Sequence, residues 1–174
     1  LNVTGVDAVE KAIESARCKA RDRGVNIPFL VHDALDLLSL NKTFDTVIDS
    51  GLFHCFSDHQ RIAYVNGLGG VLRAGGLYLL MCFSEHETRE GGPRRVTQAE
   101  LRQVFVRGWS VERVEPATFE AATLFDGGAK AWLAIIRRAR ATQVSHGSLR
   151  IDDSQASEKH PPEHGPSIRP AAEV

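Results

Sequence analysis

Apolar residues along this chain fall into short runs typical of buried strands, separated by longer stretches with helical spacing. Three of the short runs end in an aspartate: Val3–Asp7, Ile27–Asp33 and Phe44–Asp49. A β-branched run bounded by turn residues indicates a buried parallel strand. Ligands of open α/β sheets bind in the crevice beyond the carboxyl ends of such strands. We therefore expect the three aspartates to lie at one ligand-binding edge of a sheet.

The stretches between the strands predict helices, except after Asp33, where Ala34–Leu37 predicts a loop. An amphipathic helix follows the first strand and ends before Gly24, which suits the left-handed C′ position. Its apolar face carries Val9, Ala12, Ile13, Ala16 and Ala20. Ser57 caps a second helix, which extends to about Leu72. The segment Arg73–Gly76 then makes a tight connection to a strand over Leu77–Phe83. Strands alternating with helices in this way predict a mostly parallel sheet and an α/β fold.

The pattern changes in the last third of the chain. Thr97–Glu100 has the form of a capping box, which begins a third helix. Two further strand-like runs, Trp109–Val114 and Ala131–Ile136, have no good crossover helix between them. Two strands joined in this way are most simply antiparallel neighbours. Residues 115–129 between them are the longest internal loop that the sequence predicts.

Composition sets the limits of the domain. The chain has 174 residues, of which 43% are hydrophobic and 25% are charged, as expected for one ordinary domain. From about Ala141 the chain becomes rich in proline, serine and charge and contains no aromatic residue. Such a segment buries too little apolar surface to offset an ordering entropy of about 1–2 kcal/mol per residue. We predict a domain over residues 1–140 and a disordered tail over residues 141–174.

Charge and cysteine content exclude several classes of protein. The formal net charge of −1 gives no electrostatic reason to expect a nucleic-acid or membrane partner. No apolar run approaches the roughly 20 residues that span a bilayer. Cys18, Cys55 and Cys82 lack metal-ligand spacing, so we expect reduced thiols, no metal and a cytoplasmic protein. No obligate protein partner is evident either.

Several segments, taken together, resemble a known family. They are Thr4–Asp7, Val31–Ala34, Phe44–His54, Val71–Gly76 and the final pair of strands. In this order and spacing they resemble class I S-adenosylmethionine-dependent methyltransferases, in particular the bacterial small-molecule group that is similar to thiopurine methyltransferase. The resemblance implies a Rossmann-like sheet with a closing antiparallel strand and S-adenosyl-L-methionine as the cofactor. It also implies methyl transfer to an oxygen, sulfur or nitrogen atom of a small molecule by in-line displacement.

The resemblance also implies which residues bind the cofactor. Asp7 would bind the ribose hydroxyls, and Asp33 would accept a hydrogen bond from the adenine amine, with Ala34 beside the ring. The methionine end of the cofactor would be lined by Asp49, Ser50 and Gly51. A plain solvent-exposed strand end is the alternative interpretation of Asp7. Asp45, at the opposite end of its strand, is expected to be structural.

Four residues are candidates for contact with the methyl acceptor. By resemblance, Phe53 and His54 would face it. The near-neutral pKa of a histidine would let His54 act as a base for a protonated acceptor, whereas a thiolate would need little help. A packed histidine is the alternative. Arg94 and Arg95 follow a strand end and could hold an acidic acceptor, the alternative being a solvated pair of loop residues.

One departure from the family pattern concerns its first strand and glycine-rich loop, which would precede Leu1. The resemblance therefore describes an N-terminally truncated domain, in which the strands ending at Asp7 and Asp49 each have an unpaired edge. Two alternatives of other classes stay open. One is a nicotinamide-dependent Rossmann oxidoreductase, which shares the acid at the end of its second strand. The other is a methyltransferase-like fragment without catalytic activity.

Overall fold

The computed structural model of the chain describes residues 1–120 and 127–140. These residues form six strands and three α-helices, with two short 3-10 helices at Ala34–Leu40 and Phe53–Cys55. The strands are β1 (Gly5–Asp7), β2 (Phe29–Val31), β3 (Phe44–Ser50), β4 (Leu72–Phe83), β5 (Trp109–Phe119) and β6 (Ala129–Arg138). The helices are α1 (Glu10–Asp22), α2 (Asp58–Val71) and α3 (Gln98–Val104). The predicted tail lies outside the described residues.

The strands form two sheets. β1 and β2 pair in parallel, while the second sheet has the order β3-β4-β6-β5. β3 is parallel to β4, and β6 lies between β4 and β5 and is antiparallel to both. The predicted α/β fold with a closing antiparallel strand is thereby confirmed. In the described part of the chain, β1 pairs with β2 alone and β3 with β4 alone, so the parallel strands form two sheets rather than one.

Local sequence signals set the ends of the helices. The Ser57 hydroxyl accepts a hydrogen bond from the Gln60 amide, and the Gln60 side chain returns one to the Ser57 amide. Thr97 and Glu100 make the same reciprocal contacts at the start of α3. Such a pair satisfies two backbone N–H groups that the first turn of a helix leaves without partners. Gly24 has the predicted left-handed conformation, with φ of 65°.

Three element boundaries differ from the prediction. The loop expected after Asp33 is a 3-10 helix, because the Asp33 side chain caps it by accepting from the Leu35 amide. β4 begins at Leu72, directly after α2, so the predicted connection Arg73–Gly76 is part of an irregular strand. The long loop expected over 115–129 is shorter, since β5 and β6 continue to pair as far as Phe119 and Ala129.

The main core lies between α2 and one face of the four-stranded sheet. Alternate residues of β4 and β6 point into it, as the period of two in a strand requires. These are Tyr78, Leu80 and Cys82 from β4 and Trp132, Ala134 and Ile136 from β6. α2 contributes Tyr64, Val65, Leu68 and Val71. The core therefore fixes the carboxyl ends of β3 and β4, where the candidate site lies. Among the helices that the structure describes, none is long and apolar enough to cross a membrane.

Candidate active site

Asp7 and Asp33 lie at the same edge of the two-stranded sheet. Asp7 is opposite Val31, and the His32 amide donates to the Asp7 carbonyl over 2.9 Å, so Asp33 follows immediately beyond the last pair. Both aspartates are exposed. The Oδ1 atom of Asp7 accepts from the Val9 amide at 2.8 Å, and that of Asp33 accepts from the Leu35 amide at 2.9 Å. Among the described residues, the second oxygen of each carboxylate has no hydrogen-bond partner.

Asp49 lies at the end of β3 but faces the core. Its carboxylate is buried and accepts four hydrogen bonds, from the hydroxyls of Tyr78 (2.7 Å) and Tyr64 (3.2 Å) and the amides of Leu52 (2.8 Å) and Phe53 (3.2 Å). Burial raises the pKa of this carboxyl, although the four donors act in the opposite direction. Asp49 thus fixes the turn after β3 through its side chain. Its predicted contact with the cofactor stays a prediction.

The sequence does not predict the two tyrosine partners of Asp49. Tyr64 lies in the stretch that predicts the second helix, and Tyr78 lies in a run that predicts a buried strand. Burial and the adjacent Asp49 carboxylate raise the pKa of both hydroxyls, so they remain protonated donors at neutral pH. A buried tyrosine usually has a partner for its hydroxyl, which is the signal available in the sequence. That signal does not say which acid is the partner.

Ser50 is the exposed last residue of β3, and the half-buried Gly51 follows it. Ser50 is opposite Met81, and the Gly51 amide donates to the Met81 carbonyl over 3.0 Å. Gly51 has φ of 94°, a conformation that side chains disfavour. The chain therefore leaves the sheet here in a sharp turn, with backbone rather than side chain presented at the strand end. This position is compatible with the predicted contact to the methionine end of a cofactor.

His54 is buried beyond the same strand end. Its Nδ1 atom accepts a hydrogen bond from the Phe83 amide at 2.9 Å, and its ring packs edge-on against Phe83 at 4.8 Å between centroids. The Phe119 ring lies 5.9 Å away on another side. Burial, as the larger cause, and the positive charge of Arg61 together lower the pKa of His54 to about 4. The imidazole is therefore neutral at neutral pH.

Phe53 belongs to the core in this structure. Its side chain is fully buried, with its ring 5.9 Å from that of Phe105. The Arg61 guanidinium lies 4.7 Å from the Phe53 ring centroid, and Arg61 Nε donates to the Phe53 carbonyl over 3.3 Å. These contacts give Phe53 a packing role. Its predicted contact with the acceptor stays a prediction.

The two candidate arginines both have partners within the protein. The Arg94 guanidinium forms an ion pair with Asp58 at the start of α2, 2.5 Å away, and a second ion pair with Glu100 in α3. Arg95 instead donates to four backbone carbonyls of its own segment, those of Glu87, Arg89, Gly91 and Pro93. Both guanidinium groups thus hold the segment between β4 and α3 in place. Binding of an acidic acceptor by either arginine stays a prediction.

A buried carboxylate that the sequence analysis missed holds the same segment. Glu87 Oε1 accepts from the backbone and the side chain of Arg89, both at 2.9 Å. Its Oε2 accepts from Arg89 Nη2 at 2.7 Å and from the Lys130 amide at 2.9 Å. The Arg89 contacts hold the pKa of Glu87 well below its usual range. Glu87 therefore attaches the segment after β4 to the start of β6.

Comparisons with known proteins identify the family. A model described as a methyltransferase domain matches residues 1–76. The chain is 31% identical over 131 residues to the 2-heptyl-1-hydroxyquinolin-4(1H)-one methyltransferase of Mycobacteroides abscessus, covering 72% of this chain and 58% of that protein. A solved structure from work on the "Conversion of a Disulfide Bond into a Thioacetal Group during Echinomycin Biosynthesis" is 32% identical, with a TM-score of 0.69 and coverage of 80% and 67%. The chain belongs to the class I S-adenosylmethionine-dependent methyltransferases.

A more distant structure shows the same fold. The N-methyltransferase NodS from Bradyrhizobium japonicum, in complex with S-adenosyl-L-homocysteine, is 18% identical, with a TM-score of 0.60 and coverage of 78% of this chain and 65% of that one. The chain spans less than two thirds of the curated relatives it matches, 58% of the Mycobacteroides protein and 57% of an uncharacterized methyltransferase of Schizosaccharomyces pombe. The narrower relationship to thiopurine methyltransferase stays a prediction.

Membership of the methyltransferase family decides between two of the alternatives. It favours S-adenosylmethionine over a nicotinamide cofactor, and the exposed carboxylates at the ends of β1 and β2 are compatible with a nucleoside. Within residues 1–120 and 127–140, no group of three histidine, cysteine, aspartate or glutamate side chains is arranged to hold a metal ion. The alternative of a non-catalytic methyltransferase-like fragment is decided by experiment.

Proposed function

We propose that this methyltransferase transfers a methyl group from S-adenosyl-L-methionine to an oxygen, sulfur or nitrogen atom of a small molecule. The observation that carries the proposal is the pair of exposed carboxylates, Asp7 and Asp33, at adjacent ends of parallel strands. A backbone amide fixes one oxygen of each carboxylate, and the other is available to a ligand. Asp7 would accept hydrogen bonds from the ribose hydroxyls and Asp33 from the adenine amine.

Other residues of this edge would position the reacting groups. The turn at Ser50 and Gly51 brings backbone to the end of β3, which is where the methionine part of a bound cofactor would lie. The Asp49 carboxylate holds that turn in place, because it accepts hydrogen bonds from two backbone amides of the turn and from two tyrosine hydroxyls of the core. The cofactor supplies a methyl group already activated on a sulfonium. Holding the acceptor atom in line with that methyl group is then the main task of the protein, and proximity of this kind is worth about 7–11 kcal/mol.

The acceptor that best fits the relatives is a hydroxylated aromatic nitrogen heterocycle. The Mycobacteroides relative is named for such a compound, 2-heptyl-1-hydroxyquinolin-4(1H)-one. In the present chain, three aromatic rings cluster at strand ends: His54 follows β3, Phe83 ends β4 and Phe119 ends β5. Flat aromatic acceptors pack favourably against such rings. The proposal includes no nucleic acid, membrane or obligate protein partner.

Two measurements test this function. Calorimetric titration of the purified chain with S-adenosylmethionine measures cofactor binding, and mass spectrometry measures methylation of 2-heptyl-1-hydroxyquinolin-4(1H)-one. We expect binding and a singly methylated product, both reduced in Asp33→Ala. Asp45→Ala is the matched control, because Asp45 lies at the opposite end of β3 and pairs with Arg73. Absence of cofactor binding would support the non-catalytic alternative.

A further inference from the structure

His54 joins two chain segments at the strand ends. Its Nδ1 atom accepts from the amide of Phe83, the last residue of β4. A neutral ring whose Nδ1 atom accepts carries its proton on Nε2. Nε2 faces the Gly51 turn, 3.5 Å from where a Gly51 Cβ would be. The Gly51 backbone raises the pKa of His54, as expected where the ring N–H points to a carbonyl.

These two contacts specify one form of the imidazole. A neutral histidine has one N–H donor and one acceptor nitrogen. Nε2–H donates towards Gly51 and Nδ1 accepts from Phe83, so neither nitrogen is left to receive a proton. Protonation of Nδ1 would break the hydrogen bond with the Phe83 amide. The local hydrogen bonds therefore favour the neutral ring.

The surroundings of His54 favour the neutral ring as well. Only 4% of the residue is exposed, and the rings of Phe83 and Phe119 cover it. The charged groups that act on it are Arg61 from α2 and Arg95 from the segment between β4 and α3. Both are cations, so a protonated imidazole would be a third positive charge in a buried region.

The acidic groups of the same region have partners too. The Asp49 carboxylate accepts its four hydrogen bonds, and Glu87 is bound by Arg89 and the Lys130 amide. Glu85 accepts from the indole N–H of Trp132 at 2.5 Å. Among the described residues at the ends of β3 and β4, these carboxylates serve to hold the structure. The buried residues described in this region therefore do not provide a base.

We propose that His54 is a neutral positioning residue, which ties the Gly51 turn to the end of β4, and that the acceptor reacts as an anion ionised before transfer. The inference rests on the function proposed above and names its substrate class: an acidic hydroxyl, such as a heteroaromatic N-hydroxyl, or a thiol. The anion uses a lone pair to form the new bond to the methyl carbon. The sulfur keeps the electron pair of the bond that breaks. The two charges cancel, and no proton has to be removed.

Nuclear magnetic resonance of the histidine nitrogens tests the state of His54 without any acceptor. The full chain labelled with ¹⁵N-histidine would be titrated, and the His54 signals assigned by their loss in His54→Asn. We expect the Nε2–H tautomer throughout the range from about pH 5.5 to about pH 8. Titration of His54 with a midpoint at its ordinary value of about 6.5 would overturn the proposal. The result does not depend on whether the acceptor has been identified.

Kinetics separate a positioning role from a proton-accepting role. The amide oxygen of His54→Asn can still accept from the Phe83 amide, whereas His54→Phe keeps an aromatic ring and has no acceptor. With the hydroxyquinolone as acceptor, we expect kcat to fall at least about tenfold further in His54→Phe than in His54→Asn. The pH dependence of kcat/KM should follow the pKa of the acceptor. Equal, near-complete losses in both variants, with disappearance of an inflection present in the unmodified protein, would show that His54 is the base.

Failure of the proposed function gives a different result. In that case no acceptor is methylated in any variant, whether or not S-adenosyl-L-homocysteine binds. The magnetic resonance experiment still reports the state of His54. Conversely, methylation that proceeds equally well with neutral alcohols would support methyl transfer and contradict the anionic acceptor class. The two proposals are thus tested independently.

Discussion

The hydroxyl of Tyr78 donates a 2.7 Å hydrogen bond to Oδ2 of Asp49 in the interior of the domain. Asp49 is opposite Leu80 in the β3–β4 pairing, so Tyr78 is its diagonal neighbour on the same face of the sheet. The other oxygen of Asp49 accepts from the Leu52 amide in the turn beyond β3. This pair of residues therefore connects the core directly to the backbone that would bind the cofactor.

Removal of the Tyr78 hydroxyl should destabilise the domain. Tyr78→Phe leaves the buried Asp49 carboxylate without one of its donors, which costs about 1–3 kcal/mol of unfolding free energy. Tyr64→Phe is the matched control, since its hydroxyl donates to the same oxygen over a longer distance of 3.2 Å. We expect a smaller loss in that variant. Urea denaturation of the two variants measures both changes, and an unchanged midpoint in Tyr78→Phe would contradict the role given to this bond.

The state of His54 should make stability depend on pH in a defined window. Its pKa is about 4 in the folded protein and 6.5 as the ordinary value. Above pH 6.5 both states are neutral, and the stabilising contacts of the neutral ring are fully present. As pH falls from 6.5 to 4, the unfolded chain binds a proton that the folded protein does not, so stability is lost. The difference corresponds to about 3 kcal/mol.

This pH dependence is measured by comparison with His54→Asn. Urea denaturation at several pH values gives the unfolding free energy of each protein, and the difference between them isolates the contribution of residue 54. We expect the advantage of the unmodified protein to shrink as pH falls through the window. A difference that stays constant from neutral pH down to about pH 4 would show that His54 titrates normally in the folded state.

Loss of the Asp7 carboxylate should weaken cofactor binding. Asp7→Asn keeps an oxygen that can accept from the Val9 amide, so the turn is retained while the charge is lost. A charged hydrogen bond to a ribose hydroxyl is worth about 1.5–3 kcal/mol, which corresponds to roughly 10-fold to 150-fold in Kd. Calorimetry with S-adenosylmethionine measures the change, and Asp45→Asn serves as the control. Equal affinities for the Asp7 and Asp45 variants would remove Asp7 from the site.

The features that the sequence predicts best are those coded locally. The capping contacts of Ser57 and of Thr97 with Glu100 lie within three or four residues, and both are present in the structure. Strand ends at Asp7 and Asp49 could likewise be found from short apolar runs. The antiparallel pairing of β5 and β6 was predicted correctly, but not the position of β6 between β4 and β5. The order of strands in a sheet depends on contacts between distant segments.

The roles of individual side chains were harder to predict for the same reason. Asp49 lies next to the last residue of its strand, close to the expected end, yet its side chain faces the core, where Tyr64 and Tyr78 donate to it. Neither tyrosine is near Asp49 in the sequence. Arg61, whose guanidinium stacks on Phe53 inside the protein, has no local signal that distinguishes it from an exposed helical arginine. Hydrogen bonds between residues far apart in the sequence depend on how their segments pack, and the periodicity of apolar residues does not encode that packing.

Glu87 gives the last prediction, which concerns the segment between β4 and α3. Its carboxylate joins Arg89 to the Lys130 amide, so the charge holds this segment against the start of β6. Because the Arg89 contacts lower the pKa of Glu87, its stabilising contribution is present above the ordinary value of 4.5 and lost as pH falls towards the folded-state value.

In Glu87→Gln we expect faster amide exchange at Arg89 and Lys130 at neutral pH, with exchange in α2 unchanged. Glu90→Gln is the control, because Glu90 is exposed in the same segment. Hydrogen–deuterium exchange mass spectrometry measures the difference, and equal protection in the two variants would show that Arg95 and its four carbonyl partners hold the segment without Glu87.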